Sequence, residues 1–140
     1  MQAAARPHSV PAGTVVTLAF VDDNEMRVLN HRYRRKDKTT DVLSFGQDLP
    51  AGVRGREAAR RLLPGPDSVI ELGDVVISAA QATRQARRRR WPLPAEVAFL
   101  AAHGVLHLLG YDDETNAGYR EMLDLGRSAV AAARQRSVKR

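Results

Sequence analysis

The chain has 140 residues, a net charge of +6, a sequence pI near 10.5, 44% hydrophobic residues and no cysteine. That length and apolar content suit one domain with its own core, and the lack of cysteine excludes both a disulfide framework and Cys-rich structural zinc sites. No apolar run approaches the roughly 20 residues of a membrane span, and Met1 to Gly13 lacks the apolar stretch of a signal peptide. A cytoplasmic protein without a membrane partner is expected.

Residues 1–13 read as a disordered start, 14–134 as a single domain and 135–140 as a disordered tail. Thr14 to Phe20 is rich in β-branched and apolar residues and predicts a strand. Asp22-Asp23-Asn24-Glu25 supplies an N-cap and an acidic first turn for a helix to about Arg34, with Met26, Leu29 and Asn30 to Tyr33 on one stripe. Asp41 to Phe45 predicts a second strand. The Pro- and Gly-rich stretch from Gly46 to Asp67 predicts a long loop with one helical turn around Glu57 to Leu63. A third strand, Val69 to Ser78, is interrupted on paper by Gly73-Asp74. Ser78 then starts a helix that ends near Arg90, at Trp91-Pro92.

Pro94 opens the next helix, Ala95 to Leu109, which is apolar on nearly every side and therefore buried. Gly110 terminates it as a C′ glycine does. A last helix, about Glu114 to Arg134, carries Tyr119, Met122, Leu123, Leu125 and Val130. The fold class is α+β, a small sheet packed against a buried helix.

His103 and His107 lie four residues apart in that helix, so their side chains stack on one face. A lone histidine there would be an ordinary hydrogen-bonded core residue. Two adjacent imidazoles are costly to bury without a shared partner, and a metal is such a partner. The glycine turn returns the chain so that Asp113 can meet them, giving His-x3-His-x5-Asp. Three protein ligands leave a position open for a metal-bound water, whose pKa the ion lowers. The spacing approaches that of metallopeptidases, but Gly104 stands where their general-base glutamate would be, which argues against a peptidase.

The basic residues cluster at Arg27 to Lys38, Arg54 to Arg61 and Arg84 to Arg90, a pattern suited to polyanions or simply to solvated helix faces. Three segments resemble the YbeY family of bacterial endoribonucleases: His103 to Asp112, Leu29 to Phe45, and Leu72 to Ser78. The resemblance implies a small mixed sheet against helices with the metal helix central. It also implies a zinc-dependent, single-strand-specific endoribonuclease that matures the 3′ end of 16S rRNA and serves ribosome quality control, with the small subunit and its proteins as partners. His103 and His107 match the family's ligands, and Arg34 matches its arginine near the metal, where a guanidinium would bind the scissile phosphate. Without the resemblance, Arg34 reads as a cation at a helix C-terminus.

The sequence departs from the family at the third ligand, a histidine there and Asp113 here. Asp112 and Glu114 flank it as competitors. A carboxylate tilts preference from zinc toward manganese or iron. The segment before Thr14 is also shorter than the family's strand and helix, which leaves one sheet edge exposed or covered by a partner. Arg32, Arg35, Lys36, Arg87, Arg88 and Arg90 are candidate RNA-binding residues. Trp91 reads either as a base-stacking platform or as a cover over the core, and Asp74 as an acceptor for a ligand imidazole or a turn residue. The nucleophile is open between metal-bound water and a 2′-hydroxyl. The alternative function is a metal-stabilised ribosome assembly factor with little catalysis.

Overall fold

The β-branched runs form three strands: β1 Val15–Val21, β2 Val42–Gly46 and β3 Glu71–Ser78. The computed structural model describes residues 1–36 and 38–138. β3 is central, parallel to β1 and antiparallel to β2, so the sheet is mixed, as expected. Gly73-Asp74 does not interrupt β3. The register against β1 instead slips by one residue, Val15 facing Glu71 and Val16 facing Gly73, and the extra residue Leu72 turns into the core.

Alternation along β3 separates the two faces. Val75 and Ile77 belong to the main core, whereas Val76 packs with Met26 and Leu43 on the other side. That second side is covered by α2, Asp23–Arg34, which Asp22 caps by accepting from the Glu25 amide at 2.8 Å. Its buried residues are Met26 and Asn30 only; Tyr33, expected on the stripe, is exposed and meets Phe45 edge-on.

The main core lies between the sheet and α5, Leu93–Leu108, which is flanked by α4, Ala79–Arg89, and α6, Asn116–Val138. Phe99, Leu100, Ala101, Ala102, Val105, Leu106 and Leu108 are all buried on α5, consistent with a helix apolar all round. α6 buries Met122, Gly126 and Ala129 rather than Tyr119, which is exposed; Gly126 is where the Phe99 ring packs. Between β2 and β3 the chain contains one short helix, α3, Arg56–Arg60.

The two ends differ from expectation. Gln2–Ala5 forms a short helix, α1, followed by a 3-10 turn at Arg6–His8, and Ala4 and His8 are buried. Small side chains let α1 lie close against α5 and α6, so tertiary packing orders a segment too short and weakly patterned to read as structure. α6 likewise continues to Val138, so residues 135–138 are helical, while 139–140 lie outside the described residues. β1 forms one edge of the sheet, with Val15 and Phe20 exposed on it.

Candidate metal centre

α5 brings its histidines to the site because one residue between them has no side chain. A Cβ on Gly104 would lie 2.5 Å from Val75 Cγ1 and 3.2 Å from Ser44 Oγ, so only glycine lets the helix sit this close to the sheet. Ser44 Oγ donates to the Gly104 carbonyl at 3.0 Å and fixes that approach. A glutamate at 104 would be driven into β3. The peptidase general base is therefore excluded by packing as well as by sequence.

The helix ends in a Schellman turn. Gly110 N–H donates to the His107 carbonyl at 3.0 Å and Tyr111 N–H to the Leu106 carbonyl at 3.1 Å, with Gly110 at φ +90°. This reversal sets the Tyr111 carbonyl 3.0 Å from His107 Nδ1, so that nitrogen carries the proton and Nε2 is left with its lone pair. Two residues later the chain delivers Asp113.

Three ligand atoms converge there. His103 Nε2 lies 3.0 Å from His107 Nε2, Asp113 Oδ2 lies 3.4 Å from His103 Nε2, and it lies 3.8 Å from His107 Nε2. A tetrahedral ion with bonds of about 2.0–2.2 Å holds its ligand atoms about 3.3–3.6 Å apart, so the triangle has the right size for one divalent cation. It is the one such cluster among the described residues. Asp112 is engaged elsewhere, accepting from the Glu114 amide at 3.2 Å. His103 Nδ1 is buried without a partner among the described residues, and Asp74, a candidate acceptor by sequence, is an exposed residue of β3.

Burial holds the His107 imidazole below its ordinary pKa, aided by the charges of His103 and Arg34 and opposed by Asp113 and the Tyr111 carbonyl. The ring is thus neutral near neutral pH, the form that binds a metal. Arg34, the last residue of α2, lines a cleft of about 350 Å³ with Ser44, Gln47, Asp48 and His107. Arg32, Arg35 and Lys36 are exposed at the same helix end, Arg32 over the Tyr33 ring at 5.5 Å. Arg87, Arg88 and Arg90 are exposed at the far end of α4, next to Trp91, which is 41% exposed and meets the buried Phe99 ring edge to face at 6.2 Å.

Sequence reasoning missed two residues. Glu96 is fully buried on α5 and receives Arg89 Nη1 at 3.1 and 3.2 Å, although no local spacing pairs them across the turn between helices. The Tyr111 carbonyl, which orients His107, was open to inference from the C′ glycine that precedes it.

A mixed three-stranded sheet with helices on both faces, carrying at the end of its central helix a His-His-Asp cluster that could hold a metal ion, defines a small α+β domain. The family model described as endoribonuclease YbeY matches residues 1–134. Proteins named endoribonuclease YbeY match as well. The one from Moorella thermoacetica is 43% identical over 122 residues, covering 87% of this chain and 74% of the relative. The one from Picosynechococcus sp. is 44% identical over 112 residues, covering 80% and 64%. The solution structure of TM1509 from Thermotoga maritima shares the fold, with a TM-score of 0.53 at 19% identity over 98% of this chain and 81% of that one. The chain belongs to the YbeY family.

Proposed function

We propose that the protein is a metal-dependent endoribonuclease that cuts single-stranded RNA. The observation that carries this reading is the His103–His107–Asp113 triangle at the edge of a cleft that also holds Arg34. The relatives' name, endoribonuclease, supplies the substrate class.

A divalent cation held by the three side chains would acidify water and polarise a phosphodiester. The chain's own residues do the rest. The Tyr111 carbonyl keeps the His107 proton on Nδ1, so that Nε2 faces the triangle. The guanidinium of Arg34, always charged, binds the scissile phosphate and offsets the charge that builds on it during attack. Gly104 keeps α5 seated on the sheet, which holds the donor atoms at their spacing. Zinc is the first choice of metal; manganese and iron are favoured more than in a three-histidine site because Asp113 is a harder ligand. The cellular role proposed is maturation of the 16S rRNA 3′ end and ribosome quality control, in the cytoplasm and in contact with the small subunit.

The Asp113 carboxylate favours one second reading. It lowers the site's formal charge by one unit and makes a bound water less acidic, which suits an assembly factor with a structural metal and weak cleavage. Elemental analysis run beside cleavage of single-stranded RNA by the wild type and His107→Ala separates the two. Metal bound, with cleavage lost in the variant, is the expected result. Metal bound without cleavage, together with co-sedimentation on small subunits, would favour the assembly factor, and no metal after reconstitution would end both readings.

A further inference from the structure

A second cavity lies outside the metal cleft, where the start of α5 meets α6. It encloses about 450 Å³ and is lined by Trp91, Ala95, Phe99 and Val130, with Arg127 and Arg134 at its border. No acidic residue lines it. Arg127 and Arg134 are exposed and have no ion pair among the described residues. The groove therefore combines aromatic walls with two uncommitted guanidinium groups.

Its aromatic wall is rigidly built. Trp91 and Phe99 meet edge to face at 6.2 Å, and the Arg89 guanidinium lies over both rings, 5.4 Å from the Trp91 centroid and 5.8 Å from that of Phe99. Arg89 is itself tied to the buried Glu96 carboxylate, which fixes the cation and with it the Trp91 ring. Phe99 is also the link to the metal site, since its ring centroid is 6.2 Å from that of His103. One aromatic side chain thus borders both the groove and a metal ligand.

We propose that this groove is a base subsite of the nuclease: an unpaired base of the RNA stacks on Trp91, and its neighbouring phosphates pair with Arg127 and Arg134. The charge selects the occupant. An apolar helix of a partner protein would leave two arginines unpaired at the rim, whereas a nucleotide offers a π-face for the ring and an anion for the guanidinium groups. Phe99 joins the groove to His103 through the core, and stacking in the groove gives the enzyme a reason to require unpaired RNA, because a base within a duplex has no free face to stack. The inference rests on the endoribonuclease reading.

The test uses the metal-loaded protein and a short 2′-O-methyl oligouridylate, which has no 2′-hydroxyl nucleophile and is checked by gel to remain intact through each titration. Trp91 is the chain's single tryptophan, so its fluorescence reports the groove directly. Expected are quenching on titration and, by anisotropy of a labelled oligomer, a loss of affinity of about tenfold or more in the Arg127→Glu, Arg134→Glu variant and in Trp91→Ala. Metal content and thermal melting of each variant, matching the wild type, show that the fold is kept. An abasic ribose-phosphate oligomer should bind more weakly and leave the fluorescence unchanged. Binding of the oligouridylate with unaltered fluorescence and full affinity in the variants would overturn the subsite while leaving the RNA reading intact. If the same variants instead lost only a protein contact on the small subunit, the groove would be a protein-docking face. Failure of the wild type to bind any single-stranded RNA would remove the subsite and the nuclease reading together.

Discussion

Asp113 brings a negative charge to a triangle that a third histidine would leave uncharged, and the two other ligand atoms lie 3.4 and 3.8 Å from its Oδ2. Asp113→Ala should leave two ligands and a substoichiometric metal content by elemental analysis; content equal to the wild type would show that Asp113 is not a ligand. Asp113→His should shift the preference toward zinc over manganese in competitive loading, because imidazole suits zinc better than a hard cation. Gly104 is the other residue whose identity the site requires. Adding one methyl there meets two methyl carbons of Val75 at 2.5 and 2.9 Å, so Gly104→Ala should lower stability by about 1–3 kcal/mol in denaturant titrations. An unaltered midpoint would mean that α5 can lift from the sheet without cost.

Pairs of elements are tied by two carboxylates that differ in setting. Asp23, on α2, accepts from Arg84 Nη1 and Nη2 at 2.9 Å, from Ser78 Oγ at 3.1 Å and from Thr39 Oγ1 at 3.3 Å, so one side chain joins α2, α4 and the end of β3. Arg84, first, then the hydroxyl donors hold its pKa below the ordinary 3.8, against the opposing effect of burial. A depressed carboxylate stabilises the fold above its unfolded pKa and loses that contribution as pH falls through its folded value. Asp23→Asn should therefore weaken the protein at pH 7 and flatten its loss of stability below pH 4, as read from denaturation midpoints across pH. Glu96 behaves oppositely: burial raises its pKa, and Arg89 works against the rise. Arg89→Ala should cost about 2 kcal/mol, less than the ~3–5 kcal/mol of a fully buried pair, because Arg89 is 43% exposed and Glu96 can take up a proton. Since the folded pKa lies above the unfolded one, this loss should grow as pH rises from 5 to 7. A loss independent of pH would show that Glu96 stays charged without its partner.

Charge acts at the scale of the whole molecule. With a net charge of +6, binding of single-stranded RNA should weaken steeply with salt, each phosphate contact adding about 0.7 to the slope of log K against log salt. Reversing Arg127 and Arg134 should reduce that slope by more than one unit if both meet phosphates, and leave it unchanged if they do not.

Periodicity and composition determined much of this protein. The strands Val15–Val21 and Val42–Gly46, the Asp22 cap, the buried helix with its C′ glycine and the convergence of His103, His107 and Asp113 all follow from local rules, because each depends on residues near one another in sequence. What only the tertiary structure decided involves partners far apart in the chain. α1 is ordered by packing on α5 and α6, not by its own propensity. Gly73-Asp74 stays within β3 because the strand absorbs Leu72 as a bulge against β1. Trp91 stands at a groove whose other wall, on α6, begins 36 residues later with Arg127. The His-His-Asp triangle was legible because helical spacing sets most of its geometry. The groove at Trp91 was not, because its walls come from two helices brought together by a shared core.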